Sequence, residues 1–267
     1  MIVLRALSAD VVVADASTGR QLDRMSYPDG YVVDGLSLSP DGQYLSVSLV
    51  EAGAGATRHK VEVRDVRKRK KIAEYKDQEG RGVFSPDSRV YISPQGEVRD
   101  LTTGDTHTSD FGHGSTTELA FSPDGTRLAV LKSDGWVEVW DGEVRERIAR
   151  MPGITIQGES HFGSTVEHLT FSEDGSLLAT SVGGRAVQLW DVDERVSLGQ
   201  PLTLTAQHVD AMAFDGEVLR SLSGDKVHTL DLKPEHLADQ VCKRVGRELT
   251  RKEWQTFVPD AEYRKVC

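Results

Sequence analysis

A five-residue phrase returns through this chain. Leu38-Ser39-Pro40-Asp41-Gly42 is answered by Phe84-Ser85-Pro86-Asp87-Ser88, by Phe121-Ser122-Pro123-Asp124-Gly125 and by Phe171-Ser172-Glu173-Asp174-Gly175. A worn copy stands at Phe214-Asp215-Gly216. The first residues of successive copies lie 46, 37, 50 and 43 positions apart. A second phrase runs in step, with alternating apolar residues closed by an acid at Asp15, Asp65, Asp100, Asp141, Asp191 and Asp231. A repeat of this length built from short strands cannot bury its faces alone. It does so by radial stacking, as propeller blades do. The expected fold class is all-β, a β-propeller of five to six blade units with the first and last incomplete.

The clearest unit shows how the residues dictate the blade. Glu118 to Ser122 reads as a first strand, and Pro123-Asp124-Gly125 as a turn. Pro sets φ, Asp bonds the turn backbone and Gly accepts positive φ. Arg127 to Leu131 is the second strand, Ser133-Asp134-Gly135 a hairpin turn, and Trp136 to Trp140 a third strand with period-two alternation. Val144 to Arg150 supplies a polar outer strand. Similar units are expected from about Leu36 to Tyr75, Gly82 to Ser109 and Glu167 to Leu204. The first of these carries an enlarged turn, Val50 to His59, read as a Gly- and Ala-rich loop. Ala211 to Leu232 has three strands and no evident fourth. Met1 to Met25 has a third and fourth strand but no first. Two arrangements follow. Either the N-terminal outer strand completes the last blade, or the chain belongs to a longer array and leaves a strand edge open.

The division expected is a propeller over 1–232 and a helical extension over 233–267, packed on it. Pro234 suits a first helical turn, Leu237, Val241 and Val245 form an i, i+4, i+8 stripe, and Gly246 can cap the end. Thr250-Arg251-Lys252-Glu253 reads as a capping box opening a second helix that carries Trp254.

Composition narrows the function. Apolar residues make up 38% of the 267 and aromatics 6%, which suits thin blades better than one deep core. A formal net charge of −10 repels phosphate backbones and anionic lipid, so neither nucleic acid nor a membrane is expected as partner. No apolar run is long enough to span a bilayer, and the opening residues, interrupted by Arg5 and Asp10, read as strand. Two cysteines do not make a disulfide scaffold, so a cytoplasmic location is expected. Cys242 and Cys267 bracket the tail and read either as a disulfide or as two small apolar residues in its minicore. The basic run Arg67-Lys68-Arg69-Lys70-Lys71 reads either as an acidic-partner patch or as the turn and outer strand of a blade. No nucleophile elbow, phosphate loop, dinucleotide fingerprint or metal-binding His pair is present, and no cofactor or metal is expected.

These phrases resemble the WD-repeat β-propeller family. Trp140-Asp141 and Trp190-Asp191 close third strands with its signature dipeptide, and Gly112-His113 matches its Gly-His ahead of a first strand. The resemblance covers roughly residues 10 to 232. It implies a hydrogen-bond network of His, second-strand hydroxyl, turn Asp and third-strand Trp, best matched here by His113, Asp134 and Trp140, although that second strand offers no hydroxyl. The tail resembles the C-terminal end of actinobacterial WD-repeat proteins fused to signalling ATPase, protease or kinase-like modules.

The resemblance implies a non-catalytic protein–protein interaction scaffold or sensor, binding a protein or peptide on the propeller's top face. Trp136, Arg185 and Lys226 follow equivalent turns on that face in three successive units, and His113 and Arg81 precede first strands there. Trp136 reads either as an interface aromatic or as packing between blades. The alternative function is a propeller-type metal-dependent lactonase or hydrolase. It would need three or more carboxylate or His side chains converging in the central channel.

Overall fold

The computed structural model describes residues 2–5, 10–52, 57–112, 116–152, 168–182, 185–203, 208–233, 250–257 and 262–263. The chain forms six antiparallel sheets in sequence order. Unit one holds β1 (Ile2–Arg5), β2 (Asp10–Ala14) and β3 (Gln21–Ser26). Unit two holds β4 (Tyr31–Leu38), β5 (Tyr44–Ala52), β6 (Thr57–Asp65) and β7 (Lys70–Lys76). Unit three is the smallest of the four-stranded sheets, with β8 (Val83–Phe84), β9 (Val90–Ile92), β10 (Glu97–Asp100) and β11 (Thr106–Thr108). Unit four holds β12 (Thr116–Phe121), β13 (Arg127–Lys132), β14 (Val137–Asp141) and β15 (Arg147–Met151). Unit five holds β16 (Leu169–Phe171), β17 (Leu177–Val182) and β18 (Ala186–Asp191), with an outer strand split into β19 (Val196–Ser197) and β20 (Leu202–Thr203). Unit six holds β21 (Ala211–Asp215), β22 (Val218–Ser223) and β23 (Lys226–Asp231).

The repeated phrase works as a self-contained turn. In Ser122-Pro123-Asp124-Gly125 the Ser122 hydroxyl donates to Asp124 at 2.6 Å and accepts the Arg127 amide at 2.9 Å. Asp124 also takes the Thr126 amide at 3.0 Å, and Gly125 turns at φ +72°. Ser39/Asp41, Ser85/Asp87 and Ser172/Asp174 repeat these bonds. The hydroxyls of Ser85, Ser122 and Ser172 hold the Asp87, Asp124 and Asp174 carboxyls below their ordinary value. The phrase-final acids cap the next turn in the same local way: Asp15, Asp65, Asp100, Asp141, Asp191 and Asp231 accept amides two to four residues on. Their recurrence is turn chemistry.

The core lies between sheets. Five buried clusters each join one unit to the next, from units one and two through to units five and six. The inner strands touch in order, β1 to β4, β8, β12, β16 and β21, and no comparable contact returns from β21 to β1 among the described residues. β3 stays paired to β2 in unit one, and unit six keeps three strands. The expectation that the N-terminal outer strand completes the last blade is therefore not met among the described strands. Its hydrophobic face is already committed to unit two, where Met25 joins Val33 and Leu45.

Two further readings need correction or gain a place. Val50 to His59 is not simply an enlarged loop: β5 and β6 run on in register through Val50 and His59, Glu51 and Arg58, and Ala52 and Thr57. The ladder reaches the residues on either side of 53–56. The basic run is a turn and an outer strand. Lys68 pairs with Asp65 at 3.2 Å, Arg69 with Asp23 at 3.7 Å and with the Leu22 carbonyl at 2.8 Å, and Lys71 with Glu62 at 3.5 Å.

In the tail, α1 (Arg251–Phe257) opens with the expected box. Thr250 donates its amide to Glu253 at 2.8 Å, and the Glu253 amide returns to the Thr250 hydroxyl at 3.2 Å. Trp254 is buried edge-on to Tyr263. The first tail helix, Cys242 and Cys267 lie outside the described residues.

Unit three owes its close fit to one glycine. A Cβ on Gly82 would stand 2.0 Å from the Tyr91 hydroxyl and 2.5 Å from the Ile92 carbonyl oxygen. Tyr91 is fully buried, and its hydroxyl meets Ser46 of unit two at 3.0 Å. Gly82→Ala must displace the ring and break that link between blades. An overpacking loss of about 1–3 kcal/mol is expected, read as a lowered urea midpoint.

Candidate binding face

Antiparallel topology sorts the loops. A first strand begins at the end of the blade where the second-to-third hairpin turns, and the Ser-Pro-Asp-Gly turn lies at the opposite end. Trp136 between β13 and β14, Arg185 between β17 and β18, and Lys226 at the head of β23 therefore share one end with the starts of β8, β12, β16 and β21. Arg81 stands just ahead of β8.

Trp136 is half-buried, and the Arg150 guanidinium from the outer strand of its own unit lies 4.2 Å from its ring centre. Its amide donates to Asp134 at 3.2 Å. Neither of the two readings of Trp136 describes this arrangement fully: the ring is roofed by a cation of its own blade, a contact that sequence spacing could not reveal. Arg185, Lys226 and Arg81 are exposed, and among the described residues none of the three has an ion pair or a side-chain hydrogen bond. His113 lies outside the described residues.

The third strands show how each blade meets the one before it. Trp190 is buried, and its indole donates to the Thr180 hydroxyl of β17 at 3.1 Å. Trp140 is equally buried but donates to Glu138 of its own strand at 3.2 Å. Of the network expected around His113, Asp134 and Trp140, His113 lies outside the described residues, and the other two bond locally. Val130 holds the place of Thr180, so the indole turns to the nearest acceptor, and Asp134 serves its local turn. The second-strand hydroxyl survives one unit later. In units two and three Arg takes its place beside an acid two residues back: Arg64 with Glu62 at 3.3 Å, and Arg99 with Glu97 at 4.0 Å. Arg99 also reaches the Tyr75 hydroxyl of the preceding unit at 3.2 Å. Glu138 further binds Arg147 at 3.1 Å and Arg150 at 3.6 Å, which ties the roof of Trp136 to the blade core.

Three residues ahead of each phrase, the inner strands carry Gly35, Arg81, Glu118, His168 and Ala211. Burial pushes the Glu118 carboxyl up to about 7, with the Arg81 guanidinium pulling the other way. Burial and the same guanidinium hold His168 below its ordinary value, while Asp210 and a bond to the Val209 carbonyl oppose them. Glu118 and His168 were not singled out from the sequence. Stacking the five phrases would have exposed them, since three titratable residues share one row.

The family model for the WD domain, G-beta repeat, matches residues 104–141 and 154–191, ending on Trp140-Asp141 and Trp190-Asp191. Over these two stretches the chain carries WD40 repeats. The chain is also similar in fold to a chain in a solved structure titled "Crystal Structure of Mitotic Checkpoint Complex". That match has a TM-score of 0.59 and 19% identity, and covers 82% of this chain. This chain spans 66% of the length of that chain. No curated protein sequence matches. Among the described residues no three His, Cys, Asp or Glu side chains are grouped to hold a metal, and no helix is long and apolar enough to cross a membrane.

Proposed function

We propose that this WD40 array is a non-catalytic protein-interaction platform whose partner docks at the end carrying Trp136, Arg185, Lys226 and Arg81. The observation that carries the reading is the contrast in how cations are used. Arginines of the second, third and outer strands and of a turn, such as Arg64, Arg69, Arg99, Arg127, Arg147 and Arg220, are committed to acids of the chain itself. Arg81, Arg185 and Lys226 are exposed with no such partner among the described residues. Together with a clamped half-buried Trp136, they have the composition of an interface centre. The solved relative comes from a multi-protein assembly by its title, which fits this reading.

The experiment is affinity purification of the tagged chain from its native host, followed by mass spectrometry. The Trp136→Ala/Arg185→Ala pair is expected to lose a stoichiometric partner. Its unfolding midpoint should move only by the lost cation–π contact, about 0.5–1 kcal/mol. Retention of the partner by the double variant would place the interface elsewhere.

A further inference from the structure

The row at the start of the inner strands carries an unused charge. Arg81 lies across Gly35, where a Cβ would stand 2.7 Å from its Cγ and 3.1 Å from its Nε. The glycine lets the stem settle there, which limits where the guanidinium can go. That guanidinium has no hydrogen bond or ion pair among the described residues. Glu118 feels its charge yet makes no bond to it or to any other described group. On the other side stands His168. One ring nitrogen serves the Val209 carbonyl, and the other, Nε2, is buried without a partner. The remaining places in the row are the small residues Gly35, covered by the Arg81 stem, and Ala211.

We propose that this row is a carboxylate-binding subsite, in which Arg81 receives one carboxylate of the docked protein partner beside Glu118. The proposal rests on the interaction reading above and names the chemistry of the partner. A planar guanidinium matches one carboxylate through two parallel bonds. A net charge of −10 disfavours polyanions, and a lysine or arginine of a partner would meet Arg81 as a like charge.

The charges carried by the elements packed around β12 set the pH dependence. Arg81 comes from the β8 side. His168 comes from the β16 side, with Asp210 behind it. Lys132 of β13 is bonded to the Phe111 carbonyl at 2.8 Å. When Glu118 is neutral, Arg81 is free to pair. When Glu118 ionises, it offsets that charge and repels the incoming carboxylate. Affinity therefore falls as pH rises through the region near 7 where Glu118 loses its proton.

The test uses three short glycine-rich probe peptides. One is C-terminally amidated with a single glutamate, one is its amidated glutamine counterpart, and one is the glutamine peptide with a free C-terminus. Each is titrated into the full chain at about pH 6 and about pH 8.5, with binding read from NMR shifts. The glutamate peptide should bind roughly tenfold more weakly at the higher pH, and the amidated glutamine peptide should not bind. Binding by the free C-terminus as well would support a site for main-chain carboxylates too. Glu118→Gln should hold the tight value at both pH values, and Arg81→Gln should lose binding at both. Equal binding of the two amidated peptides, or a full pH dependence surviving in Glu118→Gln, would overturn the proposal. A host partner that survives Arg81→Gln but is lost from the Trp136/Arg185 variant would overturn this inference alone and leave the platform reading standing.

Discussion

Replacing Trp190 by alanine is expected to lower the stability of the chain by about 3–5 kcal/mol. The side chain is 2% exposed and stands in the cluster that binds unit five to unit four. It packs with Leu169, Phe171, Leu178 and Val192 of its own unit and with Leu131, Val139 and Met151 of the one before. Truncation opens a cavity at the seam of two sheets, where the backbone ladders on both sides resist collapse. It also strands the Thr180 hydroxyl, which holds the indole at 3.1 Å. Trp190→Phe separates the two effects. It keeps most of the volume, loses the hydrogen bond and should cost about 1–2 kcal/mol. Urea unfolding followed by far-UV circular dichroism reads both variants. A loss under about 1 kcal/mol for the alanine variant would show that the seam repacks and that blades four and five do not depend on this residue.

Glu118→Gln should do the opposite, with a gain that begins above about pH 4.5 and is complete above neutral pH. The folded carboxyl titrates near 7 against an ordinary value of 4.5, because burial disfavours its charged form more than Arg81 favours it. The folded chain therefore holds this proton between those values while the unfolded chain has released it, so stability falls as pH rises through that window. Below about pH 4.5 both states are protonated and the substitution should be neutral. Above about pH 8 the wild-type chain carries a poorly solvated charge, and removing it should gain up to about 2–3 kcal/mol, less in proportion to its remaining contact with water. The measurement is the unfolding midpoint of both proteins across that range. Parallel curves would mean that Glu118 ionises as freely as an exposed acid, and would remove the electrostatic basis of the carboxylate subsite as well.

Much of this protein is legible in its residues because much of it is local. Ser122, Asp124, Gly125 and Arg127 close their turn within six positions, and the same chemistry at Ser39, Ser85 and Ser172 marks every full blade. Thr250 and Glu253 close a capping box in the same way. Alternation along Trp136 to Trp140 assigns faces, since side chains in a strand must alternate. These features need no partner outside their own unit, so sequence alone determined the repeat, the blade plan and the count of four full and two partial units.

What the tertiary structure decided involves residues that meet only after the blades stack. Whether an indole finds Thr180 or turns to Glu138 depends on what the neighbouring strand offers across the register. The clamp of Arg150 on Trp136 needs the outer strand in place, and the pairing of β3 inside unit one shows only in the ladder. Above all, Arg81, Glu118 and His168 come from three different units, and Arg81 acts on the other two only because the inner strands converge. Turn chemistry is set by covalent neighbours over a few ångströms. A titratable row is set by burial and by charges brought together through space, which a linear chain does not display.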